Sequence, residues 1–119
     1  MYQIKIKRIY EPYESSDGFR ILVDRLWPRG MNKEKAHIDA WLKEIAPSTS
    51  LRKWFNHEPR KWENFVEKYH DELSKSEAVD ELEKLTRQHK KVALLYAANN
   101  IGNNHAVVLE AFLQKILKK

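Results

Sequence analysis

The chain has 119 residues, of which 42% are hydrophobic and 33% charged, and it contains no cysteine. This composition is typical of one globular domain with one hydrophobic core, and the missing cysteines exclude disulfides, thiolate metal sites and a cysteine nucleophile. The formal net charge of +5 permits an anionic small molecule or a nucleic acid as partner. No apolar run approaches the roughly 20 residues of a membrane span, and no secretory signal pattern is visible, so we expect no membrane contact and a cytoplasmic location.

Three segments have the apolar patterns of β-strands. Residues 2–6 alternate apolar and polar side chains, which predicts a half-exposed strand at the edge of a sheet. Residues 19–23 and 92–97 are almost continuously apolar, as in strands that are covered on both faces. The short loop over residues 14–18 leaves the pairing sense of the first two strands open.

Helical periodicity fills the rest of the chain. Between residues 24 and 91, and again after residue 104, apolar residues recur at intervals of three and four. One predicted helix lies between residues 32 and 47 and buries one apolar face, formed by Ile38, Trp41, Leu42 and Ile45. Capping and first-turn residues predict that the helices begin near Asn32, Ser50, Pro59, Ser74 and Asn104.

The connection between the two buried strands determines the predicted fold class. A long helical connection requires a crossover that makes the two strands parallel. No internal repeat or linker divides the chain. We therefore predict a single α/β domain over residues 1–119, in which a small, mostly parallel sheet of about three strands is flanked by helices.

The loop after the second predicted strand is the strongest functional signal. Within residues 24–30 it carries a carboxylate, two guanidinium groups and a flat aromatic ring, on Asp24, Arg25, Arg29 and Trp27. Ligands of α/β proteins bind at the carboxyl ends of parallel strands, where this loop would lie. A guanidinium can donate two parallel hydrogen bonds to a carboxylate or phosphate, so the loop predicts an anion site.

If the two buried strands are neighbours, this loop faces the start of the last helix, where the helix dipole favours an anion. His105 lies there, and an imidazole exchanges protons near neutral pH. We therefore predict that Asp24 and His105 handle protons. The predicted ligand-binding residues are Arg25, Trp27, Arg29, Lys33, Arg52 and Asn104.

The same residues also have a structural interpretation. Asp24 would pair with an arginine, and Trp27 would pack in the core. Asn104 would cap the last helix, and His105 would bond to a neighbouring side chain. The sequence leaves both interpretations open.

The sequence predicts no metal and no cofactor. Asp24, His57, Glu58 and His105 have suitable donor atoms but no recognised metal-ligand spacing. With three glycines in the chain, neither a phosphate-binding P-loop nor a dinucleotide-binding fingerprint is present.

Three functions fit these observations. The first is a pocket for a phosphorylated or otherwise anionic small molecule, with its hydrolysis as an open question. The second is a nucleic-acid-binding module, because basic and aromatic residues are interleaved over residues 25–29 and 52–55. The third is a non-catalytic interaction domain that uses the free edge of the first strand. Ligand identity, turnover and oligomeric state are not determined by the sequence.

Several short sequence motifs follow one another along nearly the whole chain, at residues 8–10, 23–30, 39–47, 51–55, 95–98 and 104–106. Together they resemble the family catalogued as domain of unknown function 488, in its short YeaO-like form. Residues 99–103 depart from that pattern, because such proteins tend to carry a Lys-Asp pair in a shorter loop there. The resemblance implies the fold of that family and no assigned activity.

Overall fold

The computed structural model describes residues 2–100 and 102–118 and contains a four-stranded sheet. Its strands are β1 (Gln3–Arg8), β2 (Phe19–Leu22), β3 (Ala40–Trp41) and β4 (Lys91–Tyr96), in the spatial order β1-β4-β2-β3. Every neighbouring pair is parallel. The structure thus confirms the α/β fold, the edge position of the first strand and the parallel pairing of β2 with β4. It adds β3 as a short strand that was not predicted.

The helices of the described residues lie between and after these strands. They are α1 (Lys33–Ala36), α2 (Thr49–Phe55), α3 (Trp62–Ser74), α4 (Glu77–His89) and α5 (His105–Leu117), with 3₁₀ turns at Ser15–Asp17, Lys43–Ile45 and Pro59–Lys61. Side chains of the central strands alternate between two faces of the sheet. Ile21 and Leu94 join the larger core, to which α2 to α5 contribute. Leu22 and Leu95 join a smaller core that includes Ala36 of α1.

The helix predicted between residues 32 and 47 is wrong beyond its first turn. Asn32 caps α1 as predicted, because its side-chain oxygen accepts a hydrogen bond from the Lys35 amide at 3.0 Å. The helix ends at Ala36, and His37 then adopts a left-handed conformation with φ of 47°. Four residues of helix therefore replace the several turns that the apolar spacing predicted.

The sheet accounts for this difference. The Asp39 amide donates to the Arg20 carbonyl, and the Asp39 carboxylate accepts from the Arg20 amide, each at 2.8 Å. These bonds to β2 draw the next two residues into the sheet as β3. Tertiary hydrogen bonds thus override a local helical period.

Two predicted helix starts are displaced along the chain. α2 is capped by Ser48 rather than Ser50, and α4 by Ser76 rather than Ser74, which is the last residue of α3. In each helix the capping serine oxygen accepts a backbone N–H of the first turn. The start of α5 is as predicted, with Asn104 as its cap.

A buried ion cluster joins β1 to β2. Asp17 is fully buried, and its carboxylate accepts hydrogen bonds from Lys5 at 2.6 Å, from Lys7 at 3.0 Å and from Arg20. Lys7 and Arg20 are themselves buried. In the sheet register Ala93 of β4 lies between Lys5 and Arg20. A methyl side chain at this position leaves room for the carboxylate between the two cations.

The cluster fixes the charge of its members. Burial alone raises the pKa of the Asp17 carboxyl, but hydrogen bonds from Lys5, Lys7, the Glu14 amide and Arg20 outweigh it and hold the pKa well below its ordinary value. Burial alone lowers the pKa of Lys7, but its hydrogen bonds to Asp17 and Glu14 outweigh this effect and raise the pKa. Carboxylate and ammonium are therefore both charged at neutral pH.

Two glycines form a matched pair for a stability prediction. Gly18 and Gly30 both have φ of 76°. A Cβ on Gly18 would lie 2.4 Å from the Lys91 carbonyl oxygen, whereas a Cβ on Gly30 would meet nothing within 4 Å. We expect Gly30→Ala to cost about 1 kcal/mol of backbone strain and Gly18→Ala about 2–3 kcal/mol, because the clash adds to the strain. Urea denaturation measures both losses, and equal losses would contradict the prediction.

Candidate functional site

A cavity of about 570 Å³ opens at the carboxyl ends of β2 and β4. All but one of the predicted site residues line it, namely Asp24, Arg25, Trp27, Arg29, Arg52, Asn104 and His105. The exception is Lys33, which is exposed at the first residue of α1 and lies outside the cavity lining. The residues converge because parallel pairing of β2 with β4 sets the loops after both strands side by side.

Asp24 and His105 contact each other in the wall of the cavity. The His105 Nε2 atom lies 2.9 Å from the Val23 carbonyl oxygen and 3.2 Å from Asp24 Oδ1. Because a carbonyl can only accept, Nε2 carries the hydrogen. The second Asp24 oxygen accepts from the Ala97 amide at 2.9 Å. Each named atom of the pair thus has a protein partner, and the pair ties the ends of β2 and β4 to the start of α5.

Tyr69 packs behind this pair. Its ring lies edge-on to that of His105 at 6.3 Å, and its buried hydroxyl donates to the Ile45 carbonyl at 2.7 Å. Burial, followed by the charges of Glu72 and Asp24, raises the pKa of Tyr69 well above its ordinary value. The hydroxyl therefore stays protonated and holds α3 against the segment before α2.

Arg25 is bound to the cavity wall rather than free at the cavity. Its Nη2 donates to the Ala46 carbonyl at 3.0 Å and its Nε to the Pro47 carbonyl at 3.3 Å. Its Nη1 lies 3.7 Å from the Glu44 carboxylate. The guanidinium thus positions the segment that precedes α2, and Asp24 pairs with a histidine instead of an arginine.

Trp27 and Asn104 also make structural bonds. The half-buried Trp27 donates its indole N–H to the Met31 carbonyl at 2.7 Å and lies edge-on to Trp41 at 5.5 Å. Asn104 is buried; its side-chain oxygen accepts from an amide of α5 and its nitrogen donates to the Asn100 carbonyl at 2.8 Å. Both residues fix the loops that form the cavity.

Arg29, Arg52 and Lys53 form the cationic rim of the cavity. All three are exposed and line it. None of them takes part in an ion pair with the residues that the structure describes. The backbone of Arg29 is fixed, because its carbonyl accepts from the Tyr10 hydroxyl at 2.9 Å. Asp24 is the acidic residue among the described lining residues, so the rim gives the cavity a positive excess.

The amino end of α5 adds to this positive excess. The helix is 13 residues long and begins at His105 in the cavity wall. Its first N–H groups and its dipole place partial positive charge there.

The apolar floor of the cavity, which Phe55 and Phe65 form, was not predicted from the sequence. These side chains are 8% and 3% exposed, and their rings stack at a centroid distance of 4.5 Å. Asn56 and His57 follow the floor and line the cavity in consecutive left-handed conformations, with φ of 47° and 55°. The residues before Pro59 indicate a turn, but the packing of α2 on α3 decides that this turn faces the cavity.

Residues 2–100 and 102–118 contain neither a cluster of metal-ligating side chains nor a membrane-spanning helix. No group of three or more acidic or histidine side chains there is arranged to hold a metal ion. No helix in these ranges is long and apolar enough to cross a membrane.

The fold and the cavity define a small α/β domain with a cationic site at the carboxyl edge of a parallel sheet. The family model described as "Inactive DUF488-N3 subclade" matches residues 3–119. The chain belongs to this family, which confirms the resemblance to domain of unknown function 488 seen in the sequence.

Relatives in bacteria match along almost their whole length. The uncharacterized protein YeaO of Escherichia coli (strain K12) is 48% identical over 115 residues, which are 95% of this chain and 98% of YeaO. An uncharacterized protein of Mycobacterium tuberculosis (strain H37Rv) is 38% identical over 111 residues, which are 93% of each chain. Their names assign no activity, and no solved protein structure matches the chain.

Proposed function

We propose that this domain binds an anionic small molecule, a carboxylate or phosphate compound, and releases it unchanged. The observation that carries the proposal is the cationic rim of Arg29, Arg52 and Lys53 around a cavity of about 570 Å³. Exposed guanidinium groups can form bidentate hydrogen bonds with anionic oxygens, and a lysine adds a point charge. Cavities of roughly 300–1,000 Å³ are typical of small-molecule sites.

The geometry favours binding over hydrolysis. A general base must be able to reach a proton of the substrate or of an attacking water. The Asp24 oxygens accept from Ala97 and contact His105, whose Nε2 is held by the Val23 carbonyl. Asp24 and Nε2 are therefore engaged in the cavity wall, which leaves Nδ1 as the ring nitrogen of His105 that could act as a base, and the description of the family as inactive argues against that use.

The double variant Arg29→Ala/Arg52→Ala tests the proposal. A charge-assisted hydrogen bond contributes about 1.5–3 kcal/mol, so removing contacts from two arginines should weaken binding of phenyl phosphate by about two orders of magnitude. NMR titration measures the dissociation constant, and the same samples report on phosphate release, which we expect to be absent.

Arg60→Ala is the matched control, because Arg60 is exposed, pairs with Glu58 and lies outside the cavity lining. It removes one arginine charge from the surface outside the cavity and should leave the dissociation constant unchanged. Equal losses in the control and the double variant, or unchanged binding in the double variant, would refute a specific site.

A further inference from the structure

We infer that the ligand is an amphiphilic organic anion, whose apolar body fills the cavity while its carboxylate or phosphate lies at the cationic rim. This inference rests on the proposed function and adds the chemical class and the orientation of the ligand. Three independent features carry it: the size of the cavity, the distribution of its charges and the position of its apolar side chains.

The cavity is far larger than an inorganic anion. A water molecule occupies about 30 Å³ of the liquid, so a volume of about 570 Å³ corresponds to roughly twenty waters. Phosphate or acetate would leave most of that space as water. The cavity therefore has room for a body of on the order of 15–20 non-hydrogen atoms.

The charged groups inside the cavity already have protein partners. Asp24 is paired with His105 and with a backbone amide, and the Arg25 guanidinium is held by two carbonyls. Among the described arginine and lysine side chains that line the cavity, those without an ion pair are the rim residues Arg29, Arg52 and Lys53. An anionic group is thus matched by charge at the mouth, where its remaining oxygen atoms also stay hydrated.

Apolar side chains lie both on the floor and at the mouth. Phe55 and Phe65 form the floor, and the buried prolines Pro28 and Pro47 line the cavity with them. At the mouth, Leu26 is 66% exposed and lines the same cavity. Leu26 thus adds aliphatic surface to the lining of the cavity, beside the aromatic floor.

A series of linear carboxylates measures the apolar contribution. Each methylene that leaves water contributes about 0.8 kcal/mol, which is about fourfold in affinity, so hexanoate should bind about two orders of magnitude more tightly than acetate. Binding of both acids should weaken in Arg29→Ala/Arg52→Ala, and the neutral alcohol 1-hexanol should bind much more weakly than hexanoate. NMR titration of the folded protein gives all of these constants.

Leu26→Ser tests the orientation without touching the core. It should weaken binding of hexanoate several-fold and leave that of acetate unchanged, because only hexanoate has a methylene chain that passes the Leu26 side chain on its way into the cavity. Tyr13→Ser is the matched control, since Tyr13 is 47% exposed but lies outside the cavity lining. It should change neither constant.

The possible outcomes separate this inference from the proposed function. If acetate and inorganic phosphate bind as tightly as hexanoate and depend on the two arginines, the anion site stands and the amphiphilic ligand is overturned. If hexanoate and 1-hexanol bind equally and the arginines have no effect, the anion site itself is overturned. Absence of binding by every anion in the series would overturn both.

Discussion

Asp17→Asn is expected to lower the free energy of unfolding by about 3–5 kcal/mol, which is the usual cost of breaking a buried ion pair from one side. The asparagine keeps the shape of the side chain but removes the charge between Lys7 and Arg20, which are 6% and 1% exposed. Arg20 would then be a buried cation without a counterion, and Lys7 would keep only its pair with the exposed Glu14. Urea denaturation at pH 7 measures the loss. The exposed pair of Asp71 with Lys75 provides the control, and Asp71→Asn should change stability by about 0.5 kcal/mol or less.

The pH dependence of stability gives a second readout of Asp17. Its pKa is lowered in the folded protein, so its contribution is complete above the pKa of the unfolded chain, about 3.9, and is lost as the pH falls towards the folded value. The stability difference between the parent and Asp17→Asn should therefore be constant above about pH 5 and shrink at lower pH. A difference that stays constant down to pH 2 would show that Asp17 acts through shape rather than charge.

Asp24→Ala is expected to lower the free energy of unfolding by about 3 kcal/mol, because it leaves the Ala97 amide without an acceptor and removes the contact of Asp24 with His105, which keeps only the Val23 carbonyl. Asp24→Asn should cost less, since an amide oxygen can still accept from Ala97. A double-mutant cycle with His105→Gln should give a coupling energy of about 1 kcal/mol or more.

This result would show whether Asp24 and His105 form a structural pair that holds the cavity wall together or a catalytic pair. If the pair is structural, Asp24→Ala and His105→Gln should both melt at a lower temperature than the parent, and neither should change a chemical rate. If Asp24→Ala is as stable as the parent, Asp24 does not hold the wall together, and hydrolysis of a bound phosphate compound becomes the better hypothesis for this pair.

The parts of the fold that the sequence predicted are those that local pattern and chain connectivity determine. Uninterrupted apolar runs identified β2 and β4, and the long connection between them required parallel pairing. Once that pairing is known, residues after both strands must meet at one edge. For this reason Arg29 and His105 could be placed in one cavity although 75 residues of other structure separate their loops in the chain, from residue 30 to 104.

The parts that the sequence did not predict depend on partners that are distant in the chain. β3 exists because Asp39 bonds to Arg20, and no local pattern records that contact. The same holds for Arg25, whose guanidinium donates hydrogen bonds to the carbonyls of Ala46 and Pro47 before α2. It also holds for Phe55, which lies on the floor of the cavity. The charged residue at position 20, inside an apolar strand, was the available sign of the buried cluster around Asp17.

The strand order has a consequence for how the chain is made. β1 and β2 are the first two strands to leave the ribosome, but they do not pair with each other, because β4 lies between them. Until residues 91–96 have been synthesised, β1 has no neighbouring strand and β2 has only the two-residue β3, so apolar faces of both stay exposed, which is a state prone to aggregation. The four-stranded sheet can form only after β4 is inserted between β1 and β2. Folding of this domain is therefore a late, cooperative event rather than one that proceeds as the chain emerges.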